Sequence, residues 1–280
     1  MRVLITGANG QMGSELSALC QSHGDEVIGI DLPDHDIRDR DAAMGIITSV
    51  RPDAVINCAA MTAVDACEGD VLGAFTSNAL AVRWVAEACR RVDAHLVQIS
   101  TDYVFDGSKD APYHEWDVPN PKSVYGASKL AGEREAGPTA TIARTSWVCG
   151  LGGNNMVKTV LRLAAEPGQL RFVSDQIGHP TIVSSMVPML RRFAVDRRAG
   201  VYHTTNAGAV SWYEFVQEIL RAAGHDPDRV QPVLTSDLQP PRPAPRPANS
   251  VLDNMAIRLG GLPPLPDFRE PLAELVRALL

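Results

Sequence analysis

Three glycines at a spacing of three, Gly7-x-x-Gly10-x-x-Gly13, stand between an apolar run, Arg2–Thr6, and a segment of helical periodicity, Gln11–His23. No other feature narrows the possible folds as much, because strand, glycine turn and helix in that order make the setting in which a dinucleotide is cradled. Gly7 permits a tight turn, Gly10 lets a pyrophosphate approach the backbone, and Gly13 lets the helix pack closely on the strand. Free N–H groups at the helix start would face the phosphates. The spacing is not the strict G-x-G-x-x-G fingerprint, so a plain tight turn is the competing reading.

The rest of the first half supports the larger one. Short apolar runs at Glu26–Asp31, Ala54–Cys58, His95–Ser100 and Thr139–Arg144 read as strands. Between them Asp41–Val50, Phe75–Arg91 and Tyr125–Glu135 have helical patterning. Strands alternating with helices give βαβ units and a parallel sheet covered on both faces. The expected fold is α/β, a Rossmann-like doubly wound parallel sheet with a smaller C-terminal α/β substrate domain. Residues 1–150 would bind the dinucleotide and 151–280 would be mainly the substrate domain, with segments near 174–205 returning to the first.

After Cys149 the pattern is less regular. Asn155–Ala165, Thr181–Val195 and Glu270–Leu279 read as helices, and Arg171–Val173 and Gly200–Thr204 as strands. Ser211 with Glu214 three residues on forms a capping box that opens a helix to Gly224. The stretch Gln239–Pro247 is too rich in proline for a helix or a central strand. It is either a surface connector or a loop over the substrate, and Arg246 within it favours keeping the second option.

Composition excludes several classes of function. A formal net charge of -7 over 280 residues, with no basic run, argues against a nucleic-acid binder. No stretch approaches the roughly 20 apolar residues of a membrane span. Cys20, Cys58, Cys67, Cys89 and Cys149 are scattered, with no C-x-x-C pair, as expected of reduced thiols in a cytoplasmic protein.

The chemistry is concentrated in two places. Ser100-Thr101-Asp102-Tyr103 ends a strand, where open α/β sheets bind ligands. Downstream, Tyr125 and Lys129 stand four residues apart on a helix, a spacing that puts them on one face. Tyr125 can donate its phenolic proton to a carbonyl oxygen as hydride reaches the carbon, and Lys129 can favour the phenolate by its charge. Thr101 would hold the carbonyl oxygen by a hydrogen bond. A tyrosine and a lysine at this spacing occur by chance in many helices; the glycine turn and Thr101 give the pair its meaning. Asp31, at the end of the second strand, stands where a carboxylate would hold the adenosine ribose, favouring NADH, although Arg38 and Arg40 are within reach of a 2′-phosphate. The expected cofactor is NADPH or NADH.

These residues resemble the extended short-chain dehydrogenase/reductase superfamily. Longer blocks narrow the likeness: Asn57–Asp65, Ser100–Gly107, Tyr125–Glu133, Arg144–Val148, Gly153–Lys158, Asp175–Thr181 and Arg246–Ser250 run in order over nearly the whole chain. They are similar to the dTDP-4-dehydrorhamnose reductase family. That resemblance implies reduction of the C4 keto group of a dTDP-linked 6-deoxy sugar. It implies Thr101, Tyr125 and Lys129 as the catalytic trio, the last two also touching the cofactor. Gly10, Gln11, Met12, Asp31, Asp36, Ile37, Ala59, Ala60, Met61 and Thr62 would be further cofactor contacts beside Gly7 and Gly13. Thr62, Val64, Thr101, Asp102, Trp147 and Arg246 would lie on the sugar-nucleotide side.

Departures occur at Cys149, where the family often has an aromatic, and at Ala66-Cys67. Glu15 matches one ligand of a magnesium site found in some family members, but no further ligands can be located, so no metal is expected. The protein would be a monomer or homodimer. Competing readings are a nucleotide-sugar epimerase, a reductase of another 4-keto sugar, and a non-catalytic regulatory subunit that keeps the dinucleotide fold.

Overall fold

A computed structural model describes all 280 residues. In chain order the elements are β1 (Arg2–Thr6), α1 (Gln11–Ser22), β2 (Glu26–Ile30), α2 (Arg40–Val50), β3 (Ala54–Asn57), α3 (Val64–Gly69), α4 (Val71–Phe75), α5 (Ala81–Val92), β4 (His95–Thr101), α6 (Val124–Ala136) and β5 (Thr141–Thr145). There follow β6 (Val148–Cys149), α7 (Met156–Ala164), β7 (Leu170–Val173), β8 (Ile177–Gly178), β9 (Thr181–Ile182), α8 (Val183–Asp196), β10 (Gly200–His203), β11 (Val210–Ser211), α9 (Trp212–Ala222), β12 (Val230–Val233), α10 (Met255–Leu259) and α11 (Arg269–Leu279).

Six strands form one sheet in the order β10-β5-β4-β3-β1-β2, with every pair parallel. Strand β1 shows why both faces must be covered. Val3 and Ile5 point into a core completed by Met12 and Leu16 of α1 and by Met186, Leu190 and Phe193 of α8. Leu4, between them, points the other way, into a core built with α2 and α5. A two-residue period with apolar residues on both faces can be satisfied only by helices on each side. The order reverses between β1 and β3, and the crevice at their carboxyl ends is where such sheets bind ligands. A buried polar ladder spans it: the Thr6 hydroxyl donates to Asn57, and Asn57 donates to Gln98 at 2.7 Å.

A separate core gathers α7, α9 and α11 around Phe215, Ile219 and Phe268. Strand β12 pairs with β7 alone, in parallel. Its Pro232 disguises it in the sequence, and an edge position tolerates the missing N–H.

Two expected helices differ in the fold. Phe75–Arg91 is not one regular helix, because Thr76–Leu80 makes a π turn between α4 and α5. The extra residue turns Asn78 inward, where it exchanges hydrogen bonds with both backbone groups of Met61 and donates to Ser128 at 3.0 Å. Residues Thr181 and Ile182 are a short strand, with the helix beginning at Val183 and keeping Pro188 on its exposed side. The capping box at Ser211 and Glu214 forms as read, with α9 ending at Ala222. No helix is long and apolar enough to cross a membrane.

Candidate active site

The turn after β1 is shaped by contacts that side chains would obstruct. Gly7 has φ of +64°, and a Cβ on it would lie 2.8 Å from the backbone nitrogen of Ala59. A Cβ on Gly13 would overlap the carbonyl oxygen of Gly7. Gly10 caps α1 with extended backbone and no side chain over the helix start. The N–H groups of Gln11, Met12 and Gly13 consequently have no protein acceptor. Asp31 braces this turn, accepting from the backbone N–H groups of Asn9 and Leu32 at 2.8 Å each.

A cleft of about 730 Å³ opens along the carboxyl edge of the sheet. Gly7, Gly10, Gln11, Met12, Gly13, Asp31, Asp36 and Ile37 line one part of it. Ala59, Ala60, Met61, Thr62 and Val64 follow from the segment after β3, and Thr101, Asp102, Tyr125, Lys129 and Trp147 complete the expected set on its walls. Arg246 is the exception. Its guanidinium is held by Asp65, at 3.0 and 2.8 Å, and by the Ala244 carbonyl, so it ties the proline-rich stretch to α3 instead of lining the cleft. Arg38 does line it, chelating Asp36 at 2.7–3.0 Å, whereas Arg40 pairs with Glu87 outside.

Helix α6 reaches the cleft because it can approach its neighbours closely. A Cβ on Gly126 would overlap the Tyr103 carbonyl oxygen, and one on Gly132 the carbonyl oxygen of Asn78. Ser123 caps the helix by accepting from Gly126 N at 3.1 Å, and Glu68 takes the N–H of Val124 at 2.8 Å. Tyr125 is thereby set in the first turn, edge-on to Tyr103 with ring centroids 5.5 Å apart. Burial pushes its phenol above the ordinary tyrosine range, and the hydroxyl of Thr101 pulls weakly the other way. The sequence suggested that Lys129 would depress this phenol. Instead the Lys129 ammonium donates to the Ile99 carbonyl at 2.7 Å, and desolvation dominates at Tyr125. Lys129 is itself pushed down to about 8 by burial, with Glu133 opposing the fall.

Thr101 ends β4, accepting from Tyr103 N at 3.2 Å and donating to Asp102 Oδ1 at 2.9 Å. Asp102 is pushed up to about 6 by burial, against the lowering effect of the Ser250 and Thr101 hydroxyls. Its Oδ2 and the hydroxyl of Thr145 are buried polar atoms on the cleft wall without protein partners. Most buried polar atoms are paired, so these two mark a polar spot just beneath the cleft surface. Trp147 has φ of +46°, unusual for a bulky residue, and is held by stacking on Trp212 with ring centroids 3.6 Å apart. Trp212 lines the cleft too. Sequence reasoning missed it, since its only local role is the first residue after a helix cap.

Glu15 accepts from Leu151 N at 2.7 Å, and burial raises its carboxyl. Cys149 is buried in the α7–α9 core, which accounts for a small apolar side chain at that position.

Geometry of this kind suits a dinucleotide beside a polar substrate, and relatives agree. The family model described as the RmlD substrate binding domain matches residues 1–280. A dTDP-4-dehydrorhamnose reductase from Streptomyces griseus is 41% identical over 99% of this chain and 94% of its own length. The crystal structure of a dTDP-4-dehydrorhamnose reductase from Clostridium acetobutylicum superposes with a TM-score of 0.95 at 39% identity, covering 100% of this chain and 99% of that one. Another from Bacillus anthracis, solved in complex with NADP, has a TM-score of 0.94 at 37% identity, with 99% of each chain covered. Matched from end to end in sequence and in fold, the chain belongs to the dTDP-4-dehydrorhamnose reductase family.

Proposed function

We infer that this protein reduces the C4 keto group of dTDP-4-dehydro-L-rhamnose to give dTDP-L-rhamnose, using NADPH or NADH. The observation that carries the reading is the meeting of Thr101, Tyr125 and Lys129 with the glycine turn in one cleft. When bound, the reduced dinucleotide supplies the hydride. The remaining chemistry falls to the chain.

The free N–H groups of Gln11, Met12 and Gly13 would hold the pyrophosphate at the positive end of α1. Asp31, Asp36, Ile37 and the backbone around Ala59–Thr62 would enclose the rest of the dinucleotide. Tyr125 gives its proton to the C4 oxygen as charge develops there. Its raised pKa suits the task, because the phenol stays protonated at neutral pH until the oxygen becomes basic. Thr101 Oγ1, 2.9 Å from Asp102, would turn its hydrogen to the same oxygen. Lys129, fixed by Ile99, would supply positive charge for the phenolate that forms. Val64, Asp102, Trp147 and Thr62 would meet the sugar nucleotide.

On this reading residues 1–150 bind the dinucleotide and 151–280 mainly the sugar nucleotide, with the segment near 174–205 belonging to the first unit. The core shared by α8 and β1 and the pairing of β10 with β5 support that assignment. A role for Arg246 toward the substrate would require it to leave Asp65, and the loop would then act as a cover. We place the protein in the cytoplasm, as a monomer or homodimer, a setting in keeping with its five unpaired thiols.

The test follows cofactor absorbance with dTDP-4-dehydrorhamnose and NADH or NADPH. Stoichiometric oxidation with formation of dTDP-rhamnose is expected. Absence of turnover while the substrate binds would overturn the reading, and interconversion of sugars without net oxidation would indicate an epimerase.

A further inference from the structure

An ion pair sits almost wholly buried behind the reaction centre. Glu133 accepts from Arg144 Nε at 2.8 Å and from a terminal nitrogen at 2.7 Å, and their side chains are 7% and 4% exposed. The same carboxylate accepts from the Ser100 hydroxyl at 2.5 Å. Ser100 and Arg144 are register partners on β4 and β5, each one residue before a threonine of the cleft. Glu133 lies four residues after Lys129 on α6. One carboxylate therefore ties the helix that carries Tyr125 and Lys129 to the two strand ends that carry Thr101 and Thr145.

Stability alone does not explain the arrangement. Taking two charges out of water is expensive, and apolar replacements for buried ion pairs are often no less stable. The other terminal nitrogen of Arg144 has no acceptor at all, and the guanidinium rests over the ring of Phe105 at 5.2 Å. The charges around Lys129 are few. Cys58 is the other group felt by Lys129, but burial pushes its thiol up to about 12 and leaves it neutral. Tyr125 is neutral as well. Asp102, which follows β4, is engaged with Thr101 and does not act on Lys129. On the helix packed against α6, Arg83 is engaged by Glu135 on the solvent side.

We propose that the buried Glu133–Arg144 pair is a positioning device for the reaction centre: it locks α6 against β4 and β5 and keeps a negative charge one turn from Lys129, so that the lysine remains an ammonium ion. It rests on the reading of Lys129 as the group that supports the Tyr125 phenolate. Arg144 aims the Glu133 carboxylate with two hydrogen bonds, and Ser100 transmits its position to the strand end. Neither residue of the pair touches the substrate. Their effect passes through Lys129.

The test is made on the cofactor-free protein and so does not depend on the identity of the sugar. The chain has four lysines, Lys109, Lys122, Lys129 and Lys158. Lysine labelled with carbon-13 at Cε gives few enough signals to titrate each by NMR, with Lys129→Met used to assign the one of interest. The parent midpoint for Lys129 should fall near 8. Glu133→Gln should lower it by about one pH unit, since an opposing charge has been removed. The alkaline limb of kcat should move the same way, a loss of about tenfold at pH above both midpoints. Glu133→Asp keeps the charge and should keep the midpoint, while the shorter arm lowers kcat. If Glu133→Gln does not fold, the double variant with Arg144→Gln leaves no unpaired buried charge and should show the same lowered midpoint. An unchanged Lys129 midpoint in a folded variant lacking Glu133 would overturn the proposal, whatever happens to turnover. A lowered midpoint with no loss of turnover would instead count against Lys129 in the chemistry.

Discussion

Replacing Asp102 by asparagine isolates the cost of keeping a carboxyl group in the wall of the cleft. Asp102 is 2% exposed, accepts one hydrogen bond from Thr101, and leaves Oδ2 without a partner. Burial pushes it up from an ordinary 3.8 to about 6. The shift is about two units, or about 3 kcal/mol of difference between protonation states. Because the folded value is raised, its stabilising contribution is complete below about 3.8 and is lost as pH rises through about 6. The amide of the Asp102→Asn variant has no such titration. The difference in unfolding free energy between parent and variant should therefore move with pH, in the parent's favour on acidification. It should amount to about 1 kcal/mol between pH 8 and pH 5, and about 2 kcal/mol by pH 4. Fixed costs, such as a buried amide hydrogen without an acceptor, cancel in that difference. Urea unfolding followed from pH 4 to pH 8 measures it. Parallel curves for the two proteins would refute the argument, since they would mean that Asp102 is already ionised and solvated in the native state.

Three further substitutions probe separate parts of the site. Tyr125→Phe removes the proton donor and should lower kcat by about 10²–10⁴-fold while NADPH binding, read by fluorescence titration, stays near the parent value. Gly13→Ala puts a Cβ onto the Gly7 carbonyl oxygen and should cost about 1–3 kcal/mol of stability, with dinucleotide affinity falling further than substrate affinity in paired titrations. Trp212→Ala removes the ring stacked on Trp147 and should raise KM for the sugar nucleotide about 3- to 10-fold, the worth of about 0.5–1.5 kcal/mol for an aromatic pair, with cofactor KM unmoved.

Local signals carried much of this architecture. The turn at Gly7–Gly13 was legible because a tight turn, a close approach and a helix start each demand a particular residue within a few positions. Strands such as Arg2–Thr6 and His95–Thr101 were legible because burial on both faces leaves an apolar run. The cleft residues were mostly named from blocks of resemblance, and the structure gathers all of them except Arg246 along one edge of the sheet. Arg246 illustrates the limit. It suggested a loop over the substrate, but its partner in the fold is Asp65, which is remote in sequence.

The same limit hid the Glu133–Arg144 pair and the Trp147–Trp212 stack. Each joins residues from different elements, and neither partner has a spacing that announces the other. The π turn at Thr76–Leu80 escaped for a related reason. Its apolar periodicity is nearly helical, and only the tertiary demand for Asn78 at Met61 selects the wider turn. The raised pKa of Tyr125 was also opposite in direction to the expectation from charge alone. Depth of burial is a tertiary quantity, and at this position it outweighs the lysine one turn away.

The central claim is that hydride reaches C4 of a dTDP-linked 4-keto sugar while Tyr125 protonates its oxygen. The most direct measurement is to run the reaction with NADPH carrying deuterium at the transferable position and to locate the label in the product by NMR. One deuterium on C4 of dTDP-L-rhamnose for each cofactor oxidised is the predicted result. A product with solvent hydrogen at C4, or cofactor oxidised without label in the sugar, would contradict it.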